Sequence, residues 1–408
     1  MNGRGALDMP TRIFISVAED SADVHAASLI RKATERLPGC RFYGLTGPRM
    51  RAAGAETIAD LTAHAAMLAG TASVIGRALR AQATVEQSWR EQPPDLVVLL
   101  DSPELHLRFA KRARKMGLPV LYYIAPQTWA SRAGRNERIA RDVDRLACIL
   151  PFEQEYFRER GILADYVGHP LFESLKLASP NAATVERLRA GEGPLIAVLP
   201  GSRRHVVDQM LPIQLDVLRR MRQSTGPLRA AVSCVSQDRA AQIRERLGAA
   251  DFDVELVVAD NASLLSECDL ALVASGTATL EVAFYRKPMV VLYDAGTVMS
   301  GLYRLIGRRI LTTPHLSLVN ILAGRRVVPE FMPRVPDRSA VARLAAKLLE
   351  DESWRRLMVS QIDEVVMPLE STSASARVCE IIADLLGERR DAPQPTDTEA
   401  QASVTGIS

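Results

Sequence analysis

The segment PGSRRH follows an apolar run, LIAVL, and combines three groups that suit a phosphate ligand. Gly201 permits a tight turn, Ser202 supplies a hydroxyl, and Arg203 supplies a guanidinium of fixed charge. If a helix follows the turn, its first N–H groups lack partners and become additional donors to an anion. The spacing predicts a diphosphate site at a strand-to-helix turn. A surface ion pair is the alternative role for Arg203.

A second corner of this kind lies in LVASGTATLEVAF. Ser275, Gly276 and Thr277 separate an apolar run from a predicted helix, and Glu281 falls four residues after Thr277 on the same helix face. The Glu281 carboxylate is placed to accept both hydroxyls of a ribose. An ordinary strand-to-helix connection with a solvent-facing glutamate is the alternative. Together the two corners predict a nucleotide-sugar site, with no metal and no cofactor, because neither matches a metal-binding phosphate loop.

Apolar runs of strand length alternate with helical stretches along most of the 408 residues. This alternation predicts an α/β protein with two doubly wound, Rossmann-like parallel-sheet domains. The first series of predicted strands covers residues 12–18, 41–46, 96–101, 119–125, 145–151 and 165–170. The second series covers residues 195–202, 228–235, 254–260, 270–275 and 288–294.

The predicted domain division follows the accumulation of Pro, Asn and Gly between the two series. Residues 1–11 are an N-terminal extension, and residues 12–180 form the N-terminal domain. Residues 181–338 form the C-terminal domain, and residues 339–386 are C-terminal helices. The polar, proline-bearing segment 387–408 is predicted to be a disordered tail.

The composition restricts the class of protein. Apolar residues make up 47% of the chain, and the net charge of +3 is too small to favour nucleic acid as a partner. No apolar run reaches the roughly 18 residues of a membrane span, and no signal peptide is recognisable. We therefore expect a cytoplasmic or peripheral membrane protein. The five cysteines form no C-x-x-C pair, so we expect thiols rather than disulfides or zinc ligands.

Polar turns also follow the strands predicted in the N-terminal half. AEDSADVHAA follows the first strand, LLDSPELH contains Asp101 after a later one, and APQTWASRAGR follows the next. Ligands of doubly wound sheets bind outside the carboxyl ends of the strands. These turns and the two corners described above are therefore predicted to meet at a cleft between the domains.

Six segments together resemble the motifs of the lipid-A-disaccharide synthase family (glycosyltransferase family 19). The segments are YYIAPQTWASRAGR, ILPFEQEYF, DYVGHPL, VLPGSR, LVASGTATLEVAF and LSLVNILAGRRVVPE. The family consists of inverting glycosyltransferases with two Rossmann-like domains that face each other across a cleft, the GT-B type. The resemblance extends from about Arg12 to about Leu386.

The resemblance implies a reaction, its substrates and a location. A diacylated glucosamine would pass from its UDP-activated form to 2,3-diacylglucosamine 1-phosphate (lipid X), giving the β-1,6-linked lipid A disaccharide phosphate and UDP. This step of lipid A biosynthesis would take place at the cytoplasmic face of the inner membrane of a Gram-negative-type bacterium. The protein would be peripherally associated with that membrane, and a homodimer through the C-terminal helices is one alternative.

The resemblance also implies roles for particular residues. Asp101 would be the base that deprotonates the acceptor hydroxyl, with a helix N-cap as the alternative. Ser202, Arg203 and Glu281 match donor-side positions, as does Asn320, for which a loop cap is the alternative. On the acceptor side of the cleft, the matching residues are Glu19, Ser21, Asp23, Gln127, Trp129 and Arg132. A packing role for Trp129 is equally consistent with the motif.

Some residues depart from the family pattern, and two other hypotheses stay open. Ala18, Ala22 and Ala26 stand where the family has glycine. One alternative is a non-catalytic or re-purposed homologue that binds a nucleotide or lipid; the other is a GT-B transferase with a different acceptor. The apolar-basic stretches Ala65–Arg80 and Met299–Leu311 are predicted to dock on the membrane.

Overall fold

The computed structural model describes residues 10–62, 71–248, 252–294 and 315–391. The predicted docking segment Met299–Leu311 lies outside the described residues, as do residues 65–70 of the other predicted docking segment. Within the described part of the chain, no helix is both long and apolar enough to cross a membrane.

The N-terminal half builds a parallel sheet. Its strands are β1 (Thr11–Ser16), β2 (Cys40–Leu45), β3 (Glu56–Ala59), β4 (Leu96–Leu100), β5 (Val120–Tyr123), β6 (Arg145–Cys148) and β7 (Ala164–Tyr166). They lie side by side in the order β3-β2-β1-β4-β5-β6-β7, with every pair parallel. Ile13 and Ile15 face one hydrophobic core and Phe14 faces another, because successive strand residues point to opposite faces. Both faces are therefore buried, which explains the continuous apolar runs.

Helices cover both faces of this sheet and lead into the second half. They are α1 (Asp20–Arg36), α2 (Pro48–Ala52), α3 (Thr71–Glu91), α4 (Pro103–Lys115), α5 (Asn136–Asp142) and α6 (Glu153–Arg158), followed by α7 (Pro170–Leu177) and α8 (Ala182–Arg189). The predicted domain boundary at residues 180 and 181 falls between α7 and α8. The domain limits themselves stay a prediction.

The C-terminal half repeats the architecture. Its strands are β8 (Leu195–Leu199), β9 (Arg229–Cys234), β10 (Glu255–Val258), β11 (Leu270–Ala274), β12 (Met289–Leu292) and β13 (Glu330–Phe331). Their order is β10-β9-β8-β11-β12-β13, again entirely parallel. The helices are α9 (Arg204–Thr225), α10 (Gln237–Leu247), α11 (Asn261–Glu267), α12 (Ala278–Phe284), α13 (Leu318–Ala323), α14 (Arg338–Glu350), α15 (Glu352–Glu370) and α16 (Ala374–Asp391). The predicted fold class is confirmed.

Two strands were not predicted. The C-terminal helices, in addition, divide between the C-terminal and the N-terminal half of the structure. Strands β3 and β13 are short edge strands without a fully buried residue, so they lack an apolar run. Helices α14 and α15 pack into the core of the C-terminal half. Helix α16 returns to the N-terminal half, where it joins the core that contains Ile13 and Ile15 and packs against α1. The predicted start of a disordered tail at residue 387 is too early, because α16 continues to Asp391. Arg389 in that last turn donates to the carbonyl oxygens of Pro94 and Asp95 at 3.0 and 2.7 Å.

Candidate active site

The strand order creates a crevice at matching points of the two sheets. It reverses between β1 and β4 in the first sheet and between β8 and β11 in the second. At such a switch point the connections leave in opposite directions and open a ligand crevice beyond the carboxyl ends of the strands. Glu19 follows β1, Asp101 follows β4, and Arg203 follows β8. An Arg203 guanidinium nitrogen lies 3.4 Å from a Glu19 carboxylate oxygen, so the two crevices face each other.

Asp101 stands in a turn with left-handed backbone. Its φ is +53° and that of Ser102 is +44°, and α4 begins at Pro103. Left-handed backbone costs roughly 1–2 kcal/mol for a residue with a β-carbon, so two such residues in succession require support. Two side chains supply it by donating to the Asp101 carbonyl oxygen. They are the His106 Nδ1–H, at 2.7 Å, and the Tyr122 hydroxyl.

The Asp101 carboxylate has the electrostatic surroundings of a base. Burial raises the pKa of Asp101, and the nearby charge of Glu19 acts in the same direction. The Ser102 backbone N–H and the charge of Arg203 oppose this rise in the pKa. A raised pKa brings the basicity of the carboxylate closer to neutral pH, which favours proton abstraction. The N-cap position of α4 belongs to Ser102, so the alternative of Asp101 as a helix N-cap is wrong.

The corner after β8 has the form that PGSRRH predicts. Gly201 has a φ of +102°, and a β-carbon there would lie 2.9 Å from the Val206 side chain, so only glycine fits. Ser202 and Arg203 are exposed. Helix α9 begins at Arg204, and none of the side chains that the structure describes caps its first turn. The free N–H groups of this turn are therefore available to an anion.

The corner after β11 is next to the corner after β8, because these two strands are paired. Gly276 has a φ of +145°, and both Gly276 and Thr277 are exposed. The Thr279 hydroxyl donates to the Gly276 carbonyl at 2.8 Å, which fixes the turn before α12. Ser275 is half-buried at the end of β11. The two predicted corners thus form one continuous rim of the second sheet.

Glu281 is half-buried, and a chain of polar side chains holds its carboxylate instead of leaving it simply in solvent. The Asn261 side-chain amide donates to both carboxylate oxygens of Glu281, at 3.1 Å each. The Ser233 hydroxyl in turn donates to the Asn261 Oδ1 atom. Burial raises the pKa of Glu281, and the bond from Asn261 opposes that rise. Because Ser233 lies on β9 and Asn261 begins α11, three elements fix the direction of the carboxylate. The solvent-facing alternative is wrong.

Asn320 lies in helix α13, and its side chain holds the loop that follows this helix. It is fully buried, and its Oδ1 atom accepts from the N–H groups of Val327 and Val328 at 2.7 and 2.9 Å. Its amide nitrogen donates to the Val328 carbonyl at 2.9 Å and to the Glu330 carboxylate at 3.0 Å. Every polar atom of the side chain is occupied. The structure therefore contradicts a direct donor contact and supports the loop-cap alternative.

Two residues predicted for the acceptor side belong to the core. Asp23 is fully buried, and its carboxylate oxygens accept from the N–H groups of Arg49 and Met50 at 2.9 and 3.0 Å. It therefore holds the first turn of α2, and its assignment to the cleft is wrong. Trp129 is 5% exposed and donates from its indole nitrogen to a Glu153 oxygen at 2.9 Å. Trp129 is a packing residue, which was the alternative reading of its motif.

The other predicted acceptor-side residues are accessible. Glu19 is half-buried, and Ser21, Gln127 and Arg132 are exposed. Arg132 forms an ion pair of 2.6 Å with Glu104, on the first turn of α4. These side chains remain candidates for contact with an acceptor.

The alanines that replace family glycines fit without strain. Ala22 and Ala26 lie inside α1 and are buried, where alanine takes ordinary helical backbone. None of the positions Ala18, Ala22 and Ala26 has a positive φ. The left-handed conformation that would require glycine is therefore not used at these three positions.

Sequence reasoning missed the histidine that supports Asp101. No partner for His106 was recognisable, because Ser16 lies 90 residues away; in the structure, its hydroxyl lies 2.8 Å from the His106 Nε2 atom. Burial lowers the pKa of His106 to about 4, so the ring is neutral. A carbonyl oxygen only accepts, so the proton sits on Nδ1, facing Asp101, and Nε2 accepts from Ser16. The available sequence signal was a serine at the end of one strand and a histidine in the first turn of the helix that follows the neighbouring strand.

Solved glycosyltransferases share the fold. MurG of Acinetobacter baumannii aligns with a TM-score of 0.53 at 15% identity, over 92% of this chain and 100% of that chain. HepE of Anabaena, solved in complex with UDP and glucose, aligns with a TM-score of 0.55 at 14% identity, over 91% and 99%. Such low identity shows the fold alone. The fold is of the GT-B type, two α/β domains with facing crevices.

The sequence comparisons define the family. The model of the lipid-A-disaccharide synthetase family matches residues 13–380. The lipid-A-disaccharide synthase of Geobacter metallireducens is 34% identical over 387 residues, which are 93% of this chain and 98% of that protein. The chain belongs to the lipid-A-disaccharide synthase family, and the resemblance found in the sequence motifs is confirmed.

Proposed function

We propose that this chain joins UDP-2,3-diacylglucosamine to 2,3-diacylglucosamine 1-phosphate, forming lipid A disaccharide 1-phosphate and UDP. Family membership supports the reaction, and one observation carries its assignment to this site. The Asp101 carboxylate, in a supported left-handed turn, lies within the electrostatic influence of Arg203 from the opposite domain. A base and a diphosphate-binding cation thus share one crevice.

The donor half of the crevice suits the UDP moiety. Arg203, the Ser202 hydroxyl and the uncapped first turn of α9 provide donors for the diphosphate. Glu281, fixed by Asn261, is placed to accept the ribose hydroxyls. The UDP-bound HepE structure, which has the same fold, supports a UDP site in a protein of this architecture. These residues act by positioning the donor and by stabilising the negative charge on departing UDP.

The proposed chemical step is a single inverting displacement. Asp101 takes the proton of the acceptor 6-hydroxyl while the oxygen of this hydroxyl attacks the anomeric carbon of the donor. The bond between that carbon and the diphosphate oxygen breaks, and UDP leaves with the electron pair. Attack opposite the leaving group gives the β linkage. Arg203 offsets the charge that accumulates on the diphosphate.

The substrates require access to a membrane surface. Each buried CH₂ of an acyl chain contributes about 0.8 kcal/mol, so acylated sugars stay in the bilayer. We place the protein at the cytoplasmic face of the inner membrane, with Ala65–Arg80 and Met299–Leu311 as docking segments. Charge reversal at Arg304, Arg308 and Arg309 should weaken binding to anionic liposomes, and unchanged binding would contradict this face. A homodimer through the C-terminal helices remains a prediction. Leu357 and Met367 on one of these helices, α15, are exposed, and light scattering measures the oligomeric state.

Turnover with defined substrates tests the function. Purified protein is incubated with UDP-2,3-diacylglucosamine and lipid X in detergent, and UDP and lipid products are measured. Equal amounts of UDP and disaccharide phosphate are expected. UDP binding without turnover would favour the non-catalytic alternative. Turnover only when lipid X is replaced by another acylated or non-acylated sugar would favour a transferase with a different acceptor.

A further inference from the structure

The backbone carbonyl of Asp101 is held by two donors from different elements. His106 lies on the first turn of α4 and donates through Nδ1 at 2.7 Å. Tyr122 lies on β5, the neighbour of β4, and donates through its hydroxyl. Both side chains are fully buried. One carbonyl oxygen, with two lone pairs, is therefore fully used by side chains.

His106 is itself fixed on several sides. Its Nε2 atom lies 2.8 Å from the hydroxyl of Ser16, which ends β1. Its ring centroid is 6.2 Å from that of Phe109 and 6.3 Å from that of Tyr122. A continuous chain of hydrogen bonds thus runs from Ser16 through His106 to Asp101. This chain joins both strands at the switch point of the first sheet.

A fixed carbonyl determines where the neighbouring carboxylate points. The peptide unit is planar, so the direction of its C=O bond sets the backbone rotation at Asp101. Asp101 and Ser102 have left-handed backbone, which residues with a β-carbon leave readily unless it is supported. Loss of the support would let the turn relax and would move the β-carbon of Asp101 away from the crevice.

We propose that His106 and Tyr122 are positioning residues that aim the Asp101 carboxylate at the acceptor hydroxyl by holding the Asp101 backbone carbonyl. The proposal rests on the proposed function only for the role of Asp101 as base. Neither side chain touches substrate, since both are fully buried and their polar atoms are committed within the protein.

Four variants separate positioning from general stability. His106→Asn retains an N–H donor at the same number of bonds from the backbone as Nδ1, whereas His106→Leu keeps a similar shape without a donor. Tyr122→Phe removes only the hydroxyl. Tyr123→Phe is the matched control, because Tyr123 is the next residue on β5, is equally buried, and its hydroxyl has no hydrogen-bond partner among the described residues.

The expected result is a loss of kcat with little change in KM. His106→Leu and Tyr122→Phe should lower kcat roughly ten- to a hundredfold, the scale of a small misplacement of a reacting group. Their KM values for both substrates should stay within about twofold, since ground-state contacts remain. His106→Asn should recover most of the kcat, and Tyr123→Phe should match the wild type. Equal kcat in all folded variants would overturn the proposal, as would a His106→Asn variant as slow as His106→Leu.

Crystal structures of the variants give a readout that does not depend on turnover. The left-handed backbone of Asp101 should persist in the wild type and in Tyr123→Phe, and it should be lost in the His106→Leu, Tyr122→Phe double variant. An unchanged Asp101 turn in the double variant would overturn the proposal even in an active enzyme. If the wild type were inactive and the double variant still lost the left-handed turn, the result would contradict the proposed function but not the positioning of Asp101.

Discussion

Arg203 and Glu19 form an ion pair that joins the two domains across the crevice. The nitrogen–oxygen distance is 3.4 Å, and the side chains are 70% and 42% exposed. Such an exposed pair is worth only about 0.2–1 kcal/mol, so a diphosphate can replace Glu19 as the partner of Arg203. The negative charge of the bound donor would then offset the positive charge of Arg203, which lowers the pKa of Asp101. The donor site and the base are thus electrostatically coupled.

Substitutions at the two residues should change UDP affinity in opposite directions. Glu19→Gln removes the competitor for Arg203 and should tighten UDP binding by up to about fivefold, the limit set by an exposed pair. Arg203→Ala removes the cation and should weaken UDP binding by tenfold or more, as expected of about 1.5–3 kcal/mol for a charged hydrogen bond. Calorimetric titration measures both values.

Arg246→Ala is the matched control for this experiment. Arg246 is an exposed arginine of the same domain and is paired with Asp208 at 3.0 Å. Its substitution should leave the UDP affinity unchanged. Weaker UDP binding in Glu19→Gln would contradict competition for Arg203.

Glu281 should distinguish a ribose from a sugar that lacks its hydroxyls. The wild type should bind UDP at least about tenfold more tightly than 2′,3′-dideoxy-UDP, because hydrogen bonds to a carboxylate are charge-assisted. Glu281→Ala should bind both nucleotides with the same affinity. Asn261→Leu removes the donor that fixes Glu281 and should give an intermediate preference. A full preference for UDP in Glu281→Ala would place the ribose elsewhere.

Asn320 should affect folding stability rather than donor binding. Asn320→Ala would leave the N–H groups of Val327 and Val328 and the Val328 carbonyl without their side-chain partner. We expect the free energy of unfolding to fall by about 3 kcal/mol or more, since each buried unpaired group costs roughly 1–3 kcal/mol. Urea denaturation measures this, with the α8 cap variant Asn181→Ala, expected to lose about 1 kcal/mol, as the comparison.

UDP titration of the folded Asn320→Ala protein provides the complementary measurement. Its affinity should equal that of the wild type. A large loss of UDP affinity with normal stability would restore the donor-side role that the family resemblance implied.

Three histidines, two of them buried and His25 half-buried, should make stability fall in mild acid. Burial lowers the pKa of His25 and His106 to about 4 and that of His169 to about 3. Below the ordinary histidine pKa of 6.5 the unfolded chain binds protons that the folded chain excludes, so stability present above pH 6.5 is lost as pH falls toward 4. His106→Asn should reduce the slope of unfolding free energy against pH by up to about 1.4 kcal/mol per pH unit. An unchanged slope in urea titrations would mean that His106 is protonated in the folded protein.

The sequence predicts those features that depend on local pattern. Apolar runs identify the central strands, because both faces of each sheet are buried, and the glycines of the two corners mark turns that need positive φ. Strands β3 and β13 escape prediction because edge strands of two to four residues have no apolar run. The motifs likewise identify Asp101 and Arg203 as residues of turns that follow strands, and Glu281 as a residue of the helix after β11.

Side-chain direction is what the sequence does not specify. Asp23 and Asn320 occur in polar motifs near the cleft, yet each turns inward to hold backbone N–H groups of another segment. Substrate-binding and capping roles use the same residue types, so no local pattern separates them. His106 and Ser16 are 90 residues apart, and only the pairing of β1 with β4 brings them together. The support of Asp101 is therefore a property of the tertiary fold.

The most direct test compares the wild type with Asp101→Asn in both turnover and UDP binding. Asparagine keeps the size of the side chain and cannot accept the acceptor proton as a base. We predict equal UDP affinity and a loss of disaccharide formation by roughly 10²-fold or more in the variant, the scale of general-base catalysis. Disaccharide formation by Asp101→Asn at a rate close to that of the wild type would contradict the role of Asp101 as the base.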